Sequence, residues 1–193
     1  MVVNPFSTKF WVAGVIPFQF SLEFSERHES IDTLLEKMRR YPICQIVGPH
    51  GSGKSTLLRE LLKQHEKRGE DVRYLFFNEQ HRRIPKDIVI PENSILFVDG
   101  FEQLPFIDRI RLRFRAKRSI LTAHRPVRFV PVLYRTKPQF SIFVQAVRQM
   151  SADSPDECVL REVYERSGGN FRNAFFELYD RWEEERGNSH TFS

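Results

Sequence analysis

Gly48-Pro49-His50-Gly51-Ser52-Gly53-Lys54-Ser55 sets two glycines four residues apart and ends in Lys and Ser. That is the pattern of a loop built to hold phosphate. Its flanks agree with this reading. Ile43-Cys44-Gln45-Ile46-Val47 is a short apolar run of the kind that fills a buried parallel strand, and Thr56-Leu57-Leu58-Arg59-Glu60-Leu61-Leu62 continues with helical spacing. Strand, loop and helix follow in the order that such a loop requires.

The residue types supply the chemistry. Gly48, Gly51 and Gly53 are expected to take positive φ and to let successive N–H groups close on one anion, with Pro49, His50 and Ser52 completing the cradle. The start of the following helix adds partial positive charge. Lys54 is placed to reach the β- and γ-phosphates, Ser55 to ligate Mg²⁺, and Thr56 to help hold the α-phosphate. ATP and Mg²⁺ are the ligands this implies, and His50 is a further group within reach of phosphate.

Composition sets the frame. The chain has 193 residues, 40% of them hydrophobic and 28% charged, enough for one α/β domain with a small appendage. Its 18 Phe run from Phe6 to Phe192 at strand-like and helix-like spacings and read as core packing. Cys44 and Cys158 are too few for a disulfide framework or a metal cluster, which fits a reducing, cytoplasmic setting. The N-terminus lacks a basic region followed by an apolar stretch, and no run approaches the ~20 apolar residues of a membrane span, so no membrane association is expected.

Read along its length, the chain divides into an extended arm over 1–28, a nucleotide-binding core over 29–137, a helical lid over 138–186 and a flexible tail over 187–193. The arm carries Phe6, Phe10, Trp11, Phe18 and Phe20 and is expected to pack near the nucleotide or along the sheet edge. Ser30-Ile31-Asp32-Thr33 starts an amphipathic helix that ends before Pro42. Strands are predicted at 72–77, 95–99 and 119–123, and a fifth at 127–134 that Pro131 would break or confine to an edge. Helices are predicted at 138–150, 155–167 and 170–186. The resulting fold class is α/β: the three-layer αβα core of a P-loop NTPase, with a mostly parallel sheet and a small C-terminal helical lid.

Four further positions can carry chemistry. Ile95-Leu96-Phe97-Val98-Asp99 is an apolar strand ending in a carboxylate that can hold Mg²⁺. Gly100 stands where a water-activating Glu would be expected, which leaves Glu102 as the candidate base. Thr122 and His124 end the fourth strand, where a polar side chain can detect the γ-phosphate or position water. Ser167-Gly168-Gly169-Asn170-Phe171-Arg172 opens the last helix, and Arg172 can reach back from the lid. The net charge of +5 hides an asymmetry: Arg109, Arg111, Arg113, Arg115, Lys117, Arg118, Arg125 and Arg128 put eight positive charges in twenty residues with no acid between them, whereas Asp153 to Arg186 holds ten acids against five bases. The basic segment Arg109–Arg128 suits nucleic acid or an acidic protein partner, including a second copy in a homo-oligomer.

Taken together, the phosphate loop, the Asp-ended strand, the polar fourth-strand end and the Gly-Gly-Asn-Phe-Arg turn resemble the AAA+ and related STAND-type ATPases over about residues 29–186. The resemblance implies that Lys54 and Ser55 form the first phosphate motif, Asp99 the second, Thr122 or His124 the first sensor, and Arg172 the second sensor in a helical lid. The chain departs from that pattern in having no acid directly after Asp99 and no clear arginine finger among Arg109 to Arg118. Asn4-Pro5-Phe6, Thr122-Ala123-His124 and Leu133-Tyr134-Arg135-Thr136 are also similar to a set of small uncharacterised bacterial ATP-binding proteins. The expected function is a Mg²⁺-dependent ATP-binding protein, a slow ATPase working as a switch or motor component. A nucleic-acid-associated helper ATPase and a P-loop small-molecule kinase are the alternatives.

Overall fold

Five short, largely apolar runs become the strands of one parallel sheet, whose three central strands are buried on both faces. The computed structural model describes residues 4–7, 29–85, 88–151 and 154–189, with side chains as far as residue 186. The strands are β1 (Ile43–Val47), β2 (Val72–Phe76), β3 (Ile95–Asp99), β4 (Arg118–Ala123) and β5 (Val132–Arg135), in the spatial order β2-β3-β4-β1-β5. All four pairings are parallel, with Cys44 opposite Ile120, Phe97 opposite Ile120 and Leu75 opposite Val98. The order inserts β4 between the strand that leads into the phosphate loop and the strand that ends in Asp99.

Alternation along the strands assigns each side chain to one of two layers. Ile95, Phe97, Cys44, Ile46 and Ile120 face helices α1 (Ile31–Arg40) and α2 (Lys54–Lys67) and pack with Leu34, Leu35, Met38, Leu57, Leu58 and Leu61. Leu75, Leu96, Val98 and Leu121 face the other way, onto helix α3 (Phe106–Arg115) through Leu112 and onto Val130 in the loop before β5. Burial pushes the Cys44 thiol up to about 12, leaving it an inert core group. Ser30 caps α1 by accepting the Thr33 N–H, and Gly69, at φ 72°, ends α2.

Helices α4 (Phe140–Met150), α5 (Glu157–Arg166) and α6 (Phe171–Ser189) form a separate apolar cluster around Phe143, Val147, Leu160, Val163, Ala174 and Leu178. Gly168 and Gly169 turn the chain between α5 and α6 at φ 62° and 75°. Phe6 corrects one expectation. It lies buried in this helical cluster, not near the phosphate loop or along the sheet edge, and Asn4 fixes it there by donating to the Tyr179 carbonyl at 3.2 Å and to Glu183 Oε1 at 2.8 Å. Phe10, Trp11, Phe18, Phe20 and the rest of 8–28 lie outside the described residues, as does the end of the tail.

The fifth strand starts only at Val132, directly after Pro131, and forms the sheet edge. Proline has no N–H to give the ladder, but its carbonyl still accepts the Gln45 N–H at 2.9 Å. Among the described residues, no helix is long and apolar enough to cross a membrane.

Candidate functional site

The C-terminal ends of the strands converge on a cavity of about 660 Å³, lined by the phosphate loop from His50 to Thr56, by Phe77 and Asn78 after β2, by Asp99, Gly100 and Glu102, by Thr122 and His124, and by Asn170, Phe171 and Arg172 of the helical cluster. The phosphate loop is held from behind. Ser52 Oγ donates to the Pro49 carbonyl at 2.8 Å and lies 2.6 Å from Thr136 Oγ1, at the end of β5. Gly51 and Gly53 take φ 68° and 86° as expected, but Gly48 does not take positive φ. Gly48 is needed for a different reason: a Cβ there would lie 2.0 Å from Thr136 Oγ1. At the loop's outer turn, a Cβ on Gly51 would lie 2.0 Å from Asn170 Oδ1, so the start of α6 rests directly on the phosphate loop.

Lys54 is the first residue of α2 and is buried, with its ammonium donating to the Pro49 carbonyl at 2.6 Å and lying 3.3 Å from His124 Nδ1. Burial lowers its pKa, opposed by the negative charges of Glu102 and Asp99. Ser55 Oγ donates to Asp99 Oδ1 at 2.9 Å, joining the start of α2 to the end of β3. Thr122 Oγ1 donates to the same oxygen at 2.7 Å and accepts the Gly100 N–H at 2.8 Å. Its hydroxyl is thus committed to orienting Asp99 and the turn after it. Tyr74 supplies a third donor, to Asp99 Oδ2 at 2.9 Å, and Arg59 lies over the Tyr74 ring at 5.0 Å. Burial and the Asp99 charge push the Tyr74 phenol up, so it stays protonated and remains a donor.

His124 and Glu102 meet. His124 Nε2 lies 2.8 Å from Glu102 Oε1, while Nδ1 faces Lys54 and, at 3.4 Å, the Gly48 carbonyl. The His50 ring stacks on it with centroids 3.5 Å apart. Burial and the Lys54 charge lower the His124 pKa, partly offset by Glu102, which favours a neutral ring carrying its proton on Nε2 and donating it to Glu102. The other carboxylate oxygen, Glu102 Oε2, is shielded from solvent and accepts no hydrogen bond among the described residues. Buried polar atoms are usually paired, so an unpaired carboxylate oxygen beside a cavity is open to a ligand or water.

Gly100 has a physical reason to be glycine. It sits at φ 77°, and a Cβ there would lie 2.2 Å from the Phe77 carbonyl oxygen. No side chain fits directly after Asp99. The turn instead continues as a short 3-10 segment, Phe101–Gln103, that delivers Glu102 to the cavity. Gly100→Ala is expected to lower stability by roughly 2–4 kcal/mol through left-handed strain and overlap. Urea denaturation checks this, and a midpoint unchanged from the parent would contradict the steric account.

Arg172 lies in the first turn of α6 and lines the cavity, with no hydrogen bond or ion pair to its guanidinium among the described residues. Asn170 Oδ1 accepts the N–H groups of Arg172 and Asn173 at 3.1 and 3.4 Å, capping the helix. Tyr74, Thr136 and Asn170 escaped the sequence reading. Asn170 alone had a local signal, a helix-capping residue after a Gly-Gly break; Tyr74 and Thr136 reach the site by strand neighbourhood that no local pattern encodes.

No protein-family model matches the chain, and no curated protein sequence does. Among solved structures, one variant of RuvB from Thermotoga maritima, an AAA+ ATPase, matches at 12% identity with a TM-score of 0.54, covering 84% of this chain and 63% of that one. A second variant of the same protein matches at 12% identity with a TM-score of 0.53 and the same coverage. The chain therefore spans under two thirds of the length of the RuvB structures it matches. What it shares with them is a fold: a five-stranded parallel sheet with flanking helices, the α/β architecture of the P-loop NTPases.

Proposed function

We propose that the chain binds Mg²⁺-ATP in the cavity between the phosphate loop and α6, hydrolyses it slowly, and uses nucleotide state to set the position of helices α4–α6. The observation that carries this reading is buried Lys54, a cation whose contacts are a carbonyl and an imidazole, with no carboxylate in hydrogen-bonding distance among the described residues. A buried charge with carboxylates nearby but none in direct contact is costly, and a triphosphate supplies a direct partner. The loop from His50 to Thr56 lines that cavity, with Gly51 and Gly53 at positive φ.

Magnesium fits the donor set. Ser55 Oγ and the Asp99 carboxylate are hard oxygen donors side by side. These two side chains supply only part of an oxygen shell, and phosphate oxygens would complete it. When bound, Mg²⁺ would neutralise charge on the phosphates. Tyr74 and Thr122 would hold Asp99 in place for it.

For hydrolysis, the Glu102–His124 pair is the group best suited to orient a water and take its proton. Glu102 has one oxygen held by the imidazole and the other uncommitted. Because β4 lies between β1 and β3, His124 stands between the phosphate loop and the Asp99 strand. Arg172 supplies the coupling: a guanidinium with no hydrogen bond or ion pair among the described residues, on a helix resting on Gly51, is available to the terminal phosphate. Arg172→Ala is expected to weaken ATP by roughly tenfold relative to ADP, since a charge-assisted contact made only to the γ-phosphate is lost. Parallel calorimetric titrations with the two nucleotides check this, and an unchanged affinity ratio would remove α6 from the coupling.

A further inference from the structure

We propose that the outer face of α3 and the loop before β5 form a binding surface for single-stranded nucleic acid. None of the exposed rings or unpaired cations argued below lines the nucleotide cavity, so the inference stands independently of that site's reading. The starting point is a stripe on α3. Phe106, Ile107, Ile110 and Phe114 all point outward, with Phe106 74% and Phe114 87% exposed, while Leu112 alone is buried in the core. Apolar residues at spacings of three and four normally face the core; here they face solvent.

The loop before β5 adds a third exposed ring. Phe129 is 81% exposed and sits at φ 62°, the left-handed region that a Phe adopts only at a cost. Burial of the ring does not offset that cost. The loop is nonetheless held firmly: buried Gln45, in the middle of β1, donates to the carbonyls of Val127 and Val130 at 3.0 and 2.6 Å and accepts the Val127 N–H at 2.8 Å. Val130 and Leu112 belong to one apolar cluster, so loop and helix cover the same face of the sheet. Three side-chain hydrogen bonds beneath a strained, exposed ring describe a pre-shaped contact point.

Charge selects the occupant. Of the eight cations between Arg109 and Arg128, four are tied to the protein: Arg109 to the carbonyls of Leu104 and Glu102, Arg111 to Asp108, Lys117 to Glu92 and Arg118 to Glu70. Arg113, Arg115, Arg125 and Arg128 have no carboxylate partner among the described residues, and Arg128 stacks on Phe129 at 4.8 Å. The free cations are interleaved with the rings, as Arg113-Phe114-Arg115 and Arg128-Phe129. A membrane would accept the rings only by drawing these guanidiniums below the headgroups with them, since cations on membrane-surface helices belong on the opposite, polar face. A single strand offers bases to stack on rings and phosphates to pair with guanidiniums, which suits an exposed aromatic stripe flanked by unpaired cations.

The test uses the full chain and a labelled oligothymidylate, followed by fluorescence anisotropy over a salt series. Binding is expected to fall as salt rises. Combining Phe114→Ala with Phe129→Gly should weaken it by about tenfold or more with the salt slope retained. Arg113→Gln with Arg115→Gln should make the log–log slope shallower by about 0.7 per phosphate contact removed. Phe129→Gly relieves the left-handed strain, so this variant should melt no lower than the parent, separating lost binding from lost structure. The proposal is overturned if the oligonucleotide does not bind at low salt, or if the ring variants bind it as well as the parent. It is equally overturned if the rings prove to serve phosphatidylserine vesicles or self-association while the oligonucleotide is ignored.

Discussion

Lys54→Ala is expected to abolish stoichiometric binding of Mg²⁺-ATP, weakening it about 100-fold or more, and to leave the free protein at least as stable as the parent. The first half follows from removing a buried cation that faces a polyanion, an interaction whose loss typically costs several kcal/mol. The second half follows from the free site itself. Burial lowers the Lys54 pKa, which means that folding holds this charge against its preference for water, with a carbonyl and an imidazole as its contacts. Removing the ammonium removes that cost. Calorimetric titration and thermal denaturation on the same sample check both halves, and retained affinity in the variant would contradict the assignment of the cavity.

Glu102→Gln is expected to lower the rate of phosphate release by about 10²- to 10⁴-fold while leaving ATP affinity within a few fold of the parent. Glutamine preserves the shape and can still accept the His124 Nε2–H, but it cannot take a proton from water. No acceptor metabolite should be needed for release in the parent, since water is the acceptor; release that depends on an added metabolite would instead favour phosphoryl transfer to a small molecule. A readout apart from turnover is available in the His124 ring, whose pKa is raised by Glu102 against burial and Lys54. In Glu102→Gln that opposition disappears, so His124 should titrate lower still by NMR. An unchanged turnover rate would exclude Glu102 as the base. Placing the carboxylate directly after Asp99, as Gly100→Glu, is not expected to compensate, because Phe77's carbonyl occupies the space a Cβ would need.

The parts of the fold that were legible are those governed by local pattern. The strand Ile95–Asp99 was read to the residue, since five apolar or terminal positions between loops leave little freedom of register. The three C-terminal helices were read within two residues at their starts and three at their ends, with Gly168 and Gly169 punctuating them. The edge strand is shorter than expected because Val127 and Val130 have the composition of a strand, yet they pack against the sheet face, Val130 buried and Val127 half-buried, held by bonds to Gln45, 82 and 85 residues earlier. Phe6 was misplaced for a similar reason: an isolated aromatic says that it will be buried, not against which cluster.

Around the cavity, local pattern singles out individual positions, while the contacts between them depend on how the strands are ordered. The octet from Gly48 to Ser55 contains its own geometry. Glu102 and His124 were each singled out, but their contact depends on β4 being inserted between β1 and β3, which is a property of sheet order rather than of either segment. Tyr74 sits on β2 and Thr136 directly after β5, and only the register that puts Phe76 opposite Asp99 brings Tyr74 within reach of the carboxylate. The basic run also changed meaning once folded, since half its charges are engaged by the protein's own carbonyls and carboxylates.

The central claim, that this cavity is a magnesium-triphosphate site, is tested most directly by calorimetric titration of the unaltered chain with ATP, with and without Mg²⁺. The account predicts one ATP per chain and binding that tightens on adding Mg²⁺, because Ser55 and Asp99 stand ready to complete the ion's oxygen shell. Absence of binding under both conditions, or binding indifferent to the metal, would contradict it.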